Sequence, residues 1–358
     1  MKNALIFLIL LLFSISSAFP QEIIENPEKP LNPNAGRVLK LEEEFRITDE
    51  SGEFYFKSPR NLKVAPDGCI FIEDEYQFLK FSPDGQFIKN LFKKGQGPGE
   101  IQDFFYYAFH NSDIYIYDPM NRKIIHTDKE GKLIEEFKFT DRFRDFYGVL
   151  EDKFIFLKSS IPTVVEKRGG IYNVPKTILL TSKDGKIDME FSGFPVRVFI
   201  GKVMSRTLDS FISVLGDDGK MLFVNHTSEY RIVAFDLIKG EITKIFNREY
   251  PRIKLKKRKE DVKESQRIEE PEMKFKADIF RLYLFNGNLW IRTSTIDEKR
   301  GTLFDVFDIE GKYIDSFFIY FKGGLLGTDR GSLFVLETDE NELLSIVKYK
   351  VLDKSLFP

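Results

Sequence analysis

The sequence predicts an all-β protein, a six-bladed β-propeller built from four-stranded antiparallel blades, and three observations predict it. A short motif that ends in a Gly turn recurs along the chain. The segments around it are rich in aromatic and β-branched residues, with almost no helical periodicity. A strand-like segment near the N terminus has no hairpin partner beside it. Repetition of a strand-rich unit at about blade length is typical of propellers.

The repeated motif is a strand, a turn containing an acidic residue and Gly, and a returning strand. Gly permits the positive φ angle of such a tight turn without a steric penalty. The spacing of the turn glycines grows from 46 residues, between Gly85 and Gly131, to 71 residues, between Gly240 and Gly311. Each copy is therefore predicted to be a hairpin of one blade, with insertions of increasing size between copies. The copies are Phe81–Ile88, Thr127–Ile134, Thr181–Ile187, Phe235–Ile242 and Phe307–Ile314, with turns at Gly85, Gly131, Gly185, Gly240 and Gly311.

The two ends of the chain predict how the ring of blades closes. In Arg37–Ile47 four odd positions from Leu39 to Ile47 are apolar and the even positions from Lys40 to Arg46 are charged, except that Glu43 interrupts the apolar face. This alternation indicates a half-buried strand. Near the C terminus Leu325–Thr328, Ser332–Thr338 and Leu343–Leu352 supply only three strands. We therefore expect the N-terminal strand to complete the last blade of a propeller spanning residues 37–353.

Two segments resemble known propellers. Ile114–Ile124 resembles the NHL-repeat pattern, in which a strand is followed by Asp, a short Asn-Arg turn and the next strand. Gly95–Glu100 resembles the Gly-x-Gly-Pro-Gly-Glu junction of a group of exported bacterial six-bladed propellers. The resemblance implies this fold and export, but no particular activity. Because an aromatic-rich strand rather than a helix follows, Gly95, Gly97 and Gly99 are interpreted as a structural turn and not as a phosphate cradle.

The N-terminal residues predict export. A positive residue, an apolar run too short to span a bilayer and a small-x-small pattern ending at Ala18 indicate a signal peptide over residues 1–18. Residues 19–36 are expected to be a flexible leader. No later stretch is apolar for long enough to cross a membrane, so we expect a periplasmic or extracellular protein.

Composition argues against several classes of function. A net charge of −2 gives no basis for a nucleic-acid partner. Cys69 is the single cysteine, so no disulfide framework is expected, and with only three His residues a metal site is not predicted. No cofactor is predicted. The 37 Phe residues instead indicate stabilisation by an aromatic core.

Three segments break the repeat, and the strand order of a propeller blade places all of them on one face, called the top face below. They are Ser159–Lys176, Ser192–Leu208 and the charged insertion at residues 252–276, between blades 4 and 5. The insertion has a basic run followed by acidic residues. It is interpreted as a solvated short helix or mobile loop, with a partner-binding arm as the alternative.

No nucleophile elbow or metalloprotease motif is present. The acidic run Glu73–Glu75 lacks calcium-loop spacing and is interpreted as a solvated turn, with an acid–base or metal role as the alternative. The candidate binding residues lie near predicted top-side loops. They are Tyr76, Tyr106, Arg122 and Arg144.

The sequence therefore favours a non-enzymatic scaffold that binds a protein, peptide or glycan on the top face. The alternative is a hydrolase or lyase with a carboxylate or metal site in the central channel. An enzyme should bring several ionisable side chains together at the channel mouth, whereas a scaffold should present a broad face with exposed aromatic residues and scattered charge.

Overall fold

A computed structural model describes residues 21–49, 52–159, 169–201, 205–255 and 273–353. The predicted signal peptide and most of the charged insertion lie outside the described residues. The described residues form strands joined by turns and loops. No helix in this part of the chain is both long enough and apolar enough to cross a bilayer.

The strands are numbered along the chain. They are β1 (Glu22–Asn26), β2 (Arg37–Val38), β3 (Leu41–Ile47), β4 (Pro59–Val64), β5 (Ile70–Asp74), β6 (Gln77–Phe81), β7 (Phe87–Asn90), β8 (Tyr106–His110), β9 (Asp113–Asp118), β10 (Lys123–Thr127), β11 (Leu133–Lys138), β12 (Asp145–Leu150), β13 (Lys153–Ser159), β14 (Gly170–Thr181), β15 (Ile187–Ile200), β16 (Ser205–Thr207), β17 (Ile212–Leu215), β18 (Met221–Asn225), β19 (Ile232–Asp236), β20 (Glu241–Arg248), β21 (Ile279–Phe285), β22 (Asn288–Asp297), β23 (Gly301–Asp308), β24 (Tyr313–Ile319), β25 (Gly324–Asp329), β26 (Ser332–Thr338) and β27 (Leu344–Val351).

These strands form six sheets, which are the six predicted blades. Blades 1 and 2 are the four-stranded meanders β4–β7 and β8–β11. Blade 3 contains β12–β16, and blades 4 and 5 contain β17–β20 and β21–β24, each with one extra strand from the N-terminal segment. Blade 6 is β25–β27 completed by β3. The prediction of a six-bladed propeller closed by the N-terminal strand is confirmed.

The core consists of six apolar clusters, one between each pair of neighbouring blades. Strands that alternate side chains between two faces can contribute to the cluster on either side. In blade 2, for example, Ile116 packs toward blade 1 and Tyr117 toward blade 3. Trp290 is 1% exposed and packs edge-on against Phe317 between blades 5 and 6.

The closing strand is shorter than predicted and contains a bulge. Leu41–Ile47 pairs antiparallel with β27, with Phe45 opposite Lys348 and Glu43 opposite Tyr349. One extra residue therefore lies between these pairs, which explains why the alternation of side chains breaks near Glu43. Ile47 is 2% exposed and packs between blades 6 and 1.

The segment expected to be a flexible leader, residues 19–36, contains the strand β1, and β2 follows directly after it. The strand β1 extends the outer edge of blade 4 by pairing parallel with β20, and β2 pairs parallel with β24 of blade 5. Between them, the backbone amides of Leu31, Asn32 and Gly36 donate to carbonyls of β24. We call residues 22–38 the strap, because they run across the outer edges of blades 4 and 5 before β3 enters blade 6.

The repeated glycines also contact the preceding blade. All five turn glycines have φ between 69° and 91°. A Cβ added at Gly131 would lie 2.8 Å from Leu91, and one at Gly311 would lie 2.9 Å from the ring of Phe246. The small residue therefore permits both the turn and close packing between blades at these positions.

Candidate functional site

The first strand of each blade lies innermost and lines the central channel. Contacts join four neighbouring pairs of these strands, namely β8 with β12, β4 with β25, β17 with β21 and β21 with β25. Each first strand begins at the top face, where the connections between blades also lie. Side chains at the beginnings of β8 and β12 therefore surround the top mouth of the channel.

Tyr106, Arg144 and Asp145 lie together at this mouth, and with Glu73 they are called the channel-mouth cluster below. The Nε atom of Arg144 lies 3.6 Å from Oδ2 of Asp145, and the Arg144 side chain is 56% exposed. Burial raises the pKa of Tyr106, and the nearby charge and hydrogen bonding of Asp145 raise this pKa further. The phenol is therefore neutral and can donate a hydrogen bond at physiological pH.

Glu73 belongs to the cluster through its charge, which also raises the pKa of Tyr106. Its side chain is 2% exposed, and Oε1 lies 2.6 Å from the Arg60 guanidinium. Asn61 donates to Oε2 at 2.5 Å. Burial raises the pKa of Glu73, although the positive charge of Arg60 opposes this rise. The arrangement is a buried carboxylate whose oxygens both accept hydrogen bonds from the protein.

The interpretation of Glu73–Glu75 as a solvated turn is wrong for its first two residues. Glu73 and Asp74 are buried at the end of β5. Asp74 accepts hydrogen bonds from the backbone amides of Lys57 and Ser58, which joins the blade to the segment before it. Asp118 does the same in blade 2, where it accepts from the amide of Gln102. The acidic residues at these strand ends therefore satisfy backbone donors rather than facing solvent.

A β-hairpin rises beside the mouth, and we call it the blade-3 wall. The strand β13 ends at Ser159, opposite Lys176. Beyond this point β14 and β15 continue to pair, from Lys176 opposite Phe194 to Gly170 opposite Ile200. Its apolar side chains form a separate buried cluster that includes Val174, Val196, Val198 and Ile200. The described parts of two of the three predicted insertions thus form one packed hairpin at the top face.

An ion pair holds the blade-3 wall against blade 4. Asp209 accepts hydrogen bonds from the Arg197 side chain at 2.7 and 2.8 Å and from the amide of Ser228 at 3.1 Å. Burial opposes ionisation of Asp209, but the hydrogen bonds from Arg197 and the charge of this residue outweigh burial and lower the pKa of Asp209. The wall is therefore fixed at its C-terminal strand.

The described ends of the charged insertion form a short antiparallel stem in which Lys254 pairs with Phe275. Arg252 makes a 3.0 Å ion pair with Asp278 and lies over the Phe275 ring. The insertion therefore starts and ends at the top face, between blades 4 and 5. Residues 256–272, on which its role as a helix, loop or arm depends, lie outside the described residues.

The structure brings together only two of the four residues predicted to bind. Tyr106 and Arg144 lie in the channel-mouth cluster. Tyr76 lies at the turn after β5, where its ring is 4.3 Å from the Lys94 ammonium. Arg122 lies at the turn after β9 and donates to the carbonyl of Thr140 at 2.9 Å. Sequence reasoning missed Glu73 and Asp145 as members of the cluster, because only the packing of blades 1, 2 and 3 brings them near Tyr106.

Carboxylate side chains of the protein accept hydrogen bonds from backbone amides of the glycine-rich junction. The amide of Gly97 donates to Glu100 and that of Gly99 donates to Glu136, both at 2.8 Å. The buried Lys123 ammonium bridges Glu136 and the carbonyl of Gly97, both at 2.7 Å. These contacts support the interpretation of Gly95–Glu100 as a structural joint between blades.

The opposite mouth of the channel opens into a cavity of about 740 Å³. The Lys63 ammonium donates to the carbonyl of Tyr107 at 2.5 Å, and burial lowers the pKa of Lys63 to about 8. Among the described residues, no group of three or more His, Cys, Asp and Glu side chains is arranged to hold a metal ion. Polar residues that line the cavity are Lys63, His110, Tyr147, Glu151, Asp217, Asp218, Asp329 and Arg330.

The blades, channel and loop-bearing top face define the chain as a six-bladed β-propeller. Residues 48–198 match the family DUF5128, described as a 6-bladed beta-propeller, which confirms the resemblance predicted from the sequence. A comparison with curated proteins finds no match.

Solved structures share the fold at low sequence identity. A Bacteroides fragilis NCTC 9343 protein named "Putative exported protein" has a TM-score of 0.55 and 10% identity, with 92% of this chain and all of that chain covered (100%). A member of the DUF4221 family from Bacteroides vulgatus ATCC 8482 has a TM-score of 0.56 and 10% identity, with coverage of 88% and 99%. A gluconolactonase from Xanthomonas campestris reaches a TM-score of only 0.44 at 14% identity, with coverage of 90% and 99%. Similarity at these levels concerns the fold and not the chemistry.

Proposed function

We propose that this propeller is a non-enzymatic binding protein of the periplasm or the cell exterior. Its ligand, a peptide segment or a glycan, binds on the top face at the channel-mouth cluster. Export is inferred from the signal peptide predicted at residues 1–18, and the neighbour in fold that is named a "Putative exported protein" supports it.

One observation supports this location above the others, namely the blade-3 wall standing beside the channel-mouth cluster. The two are close enough for the charges of Arg144 and Asp145 to act on Lys176 at the base of the wall. A packed hairpin beside polar side chains makes a recess with one rigid side, and recognition commonly uses loops on a rigid scaffold. An aromatic ring with a polar tip and two opposite charges suit a peptide backbone or a sugar.

Binding is proposed rather than turnover because of how the mouth carboxylates are engaged. Both oxygens of Glu73 accept hydrogen bonds from Arg60 and Asn61. Asp145 interacts with both Tyr106 and Arg144. A general acid or base must reach a substrate proton, and these contacts compete with such a role. The hydrolase or lyase alternative is an outcome of the test below.

The test is a screen of peptides and glycans against the mature protein, followed by two matched double variants. We expect Tyr106→Phe with Arg144→Ala to weaken ligand binding by about 10-fold or more, because each change removes a polar contact to the ligand. The control is Tyr76→Phe with Arg122→Ala, which makes the same changes elsewhere on the top face and should leave affinity unchanged. Circular dichroism checks the fold of both variants.

Three results would contradict the proposal. The first is equal binding by the channel-mouth variant and the wild type. The second is loss of binding on Asp329→Asn, which would place the ligand in the opposite cavity. The third is hydrolytic or lyase turnover that Glu73→Gln removes.

A further inference from the structure

Two arginines lie side by side at the top of blade 5. Arg281 is on the first strand, β21, and Arg292 is directly opposite it on β22. Directly opposite residues of an antiparallel pair project their side chains from the same face of the sheet. Arg281 lies two positions before Tyr283 and Arg292 two positions after Trp290, and both of these aromatic residues face blade 6. The two guanidinium groups therefore share the blade 6 side of the sheet.

Within the described residues, this arginine pair lacks the carboxylate partners that other arginines have. Neither Arg281 nor Arg292 makes an ion pair there. The Nε atom of Arg292 is buried and has no hydrogen-bond partner. By contrast, several arginines each lie within ion-pair distance of a carboxylate, namely Arg37, Arg46, Arg60, Arg197, Arg248, Arg252 and Arg300.

The surroundings of the arginine pair are aromatic rather than acidic. The guanidinium carbon of Arg281 lies 5.8 Å from the centroid of the Tyr283 ring. That of Arg292 lies 6.0 Å from the centroid of Phe280, a side chain that is 51% exposed. Like charges directly opposite one another destabilise a sheet, and a buried donor without a partner adds a further cost. An anion bound between the two groups would offset both costs.

We propose that Arg281 and Arg292 form a binding site for an oxyanion group, either a phosphate or a carboxylate. Guanidinium groups donate paired hydrogen bonds that match the geometry of both anions. The guanidinium of Arg292 also interacts with the Tyr283 hydroxyl. Arg281 beside it is exposed, so an anion can approach the pair from the top face. This site lies on blade 5, so it goes beyond the proposed function and does not depend on the channel-mouth cluster.

The test measures binding of two probes, inorganic phosphate and succinate, to the mature protein by calorimetry at low ionic strength. We expect at least one probe to bind and Arg281→Gln or Arg292→Gln to weaken it by about 10-fold or more. Arg281→Lys keeps the positive charge but loses the paired N–H donors of the guanidinium group, so it should weaken binding less than Arg281→Gln. Added salt should weaken binding to the wild type.

The control variant is Arg300→Gln, which removes one charge from another top-side turn and should leave the affinity unchanged. Binding of phosphate alone identifies a phosphate site, and binding of succinate alone a carboxylate site. Absence of binding by the wild type for both probes overturns the proposal. Equal affinity of Arg281→Gln and the wild type also overturns it, and this exposed residue can be replaced without disturbing the core.

Discussion

At the scale of single residues, the repeated glycines combine two requirements that the sequence shows only in part. The need for a positive φ could be predicted from the position of each Gly in a hairpin turn. The close approach to the preceding blade could not, because it depends on which side chain of that blade lies beneath each turn. Phe246, which is fully buried, lies beneath Gly311. Phe139 lies farther from Gly185, at 3.5 Å from an added Cβ.

This difference predicts unequal effects of one substitution. Both Gly185→Ala and Gly311→Ala should lose about 1–2 kcal/mol of stability, because Ala is strained at positive φ. Gly311→Ala should lose about 1–3 kcal/mol more, because its methyl group must displace the buried Phe246 ring. Denaturant unfolding of the two variants measures this difference. Equal stabilities of the two variants would show that the Phe246 side chain can move aside at little cost in free energy.

Asp209 predicts a dependence of stability on pH. Its pKa is lowered in the folded protein below the ordinary value of 3.8. A carboxylate with a lowered pKa contributes stability above its unfolded pKa and loses this contribution as the pH falls through its folded pKa. Asp209→Asn should therefore be less stable than the wild type at pH 7, and the difference should shrink below about pH 4. Unfolding curves from pH 7 to pH 2 check this, and a difference independent of pH would contradict it.

At the scale of elements, the strap shows where sequence reasoning reaches its limit. The strands β1 and β2 pair parallel through backbone groups on the outer edges of two blades, and most of their side chains are not buried. No alternation of apolar and polar residues therefore marks them. The closing strand β3, by contrast, buries Ile47 and was predictable from alternation. Arg281 and Arg292 were also missed, since their pairing depends on the bulge between Ile279 and Arg281.

Asn26 joins the strap to two blades, and its loss should release the strap. Its amide donates to the carbonyls of Asn247 and Gly311, and its oxygen accepts from the amide of Tyr313, each at 2.9 Å. Asn26→Ala should cost about 1–3 kcal/mol, because buried backbone groups lose their partners.

Hydrogen exchange should then accelerate at β20 and β24, whose outer edges the strap covers. The exposed Glu22 on the same strand supplies the control, and Glu22→Ala should leave exchange unchanged. Unaltered exchange in the Asn26 variant would mean that the strap is held by its backbone pairing alone.

At the scale of the whole molecule, the blade number and the mode of closure were predictable because both ends of the chain carry strand patterns. The repeat accounts for five hairpins, and the C-terminal segment lacks one strand. The channel-mouth cluster was predictable only in part, because its residues come from three blades. Their proximity is a property of the closed ring and not of any single segment.

Closure by β3 predicts that the ring depends on it more than on the strap. Removing β3 exposes apolar surface of both blade 6 and blade 1, since Ile47 packs in the cluster between them. Leu39 fills the cluster between blades 5 and 6. Full burial of these two side chains contributes up to about 1.5–3 kcal/mol each, a large part of the roughly 5–15 kcal/mol that stabilises a typical domain.

A chain starting at Val38 should therefore still unfold cooperatively, at a lower temperature than the mature protein. A chain starting at Asp49 should lose cooperative unfolding by calorimetry, because blade 6 then has three strands and the ring is open. A synthetic peptide of residues 38–49 should restore part of the transition by pairing with β27 in place of the missing strand. Identical melting of the two shortened chains would show that the ring closes without β3.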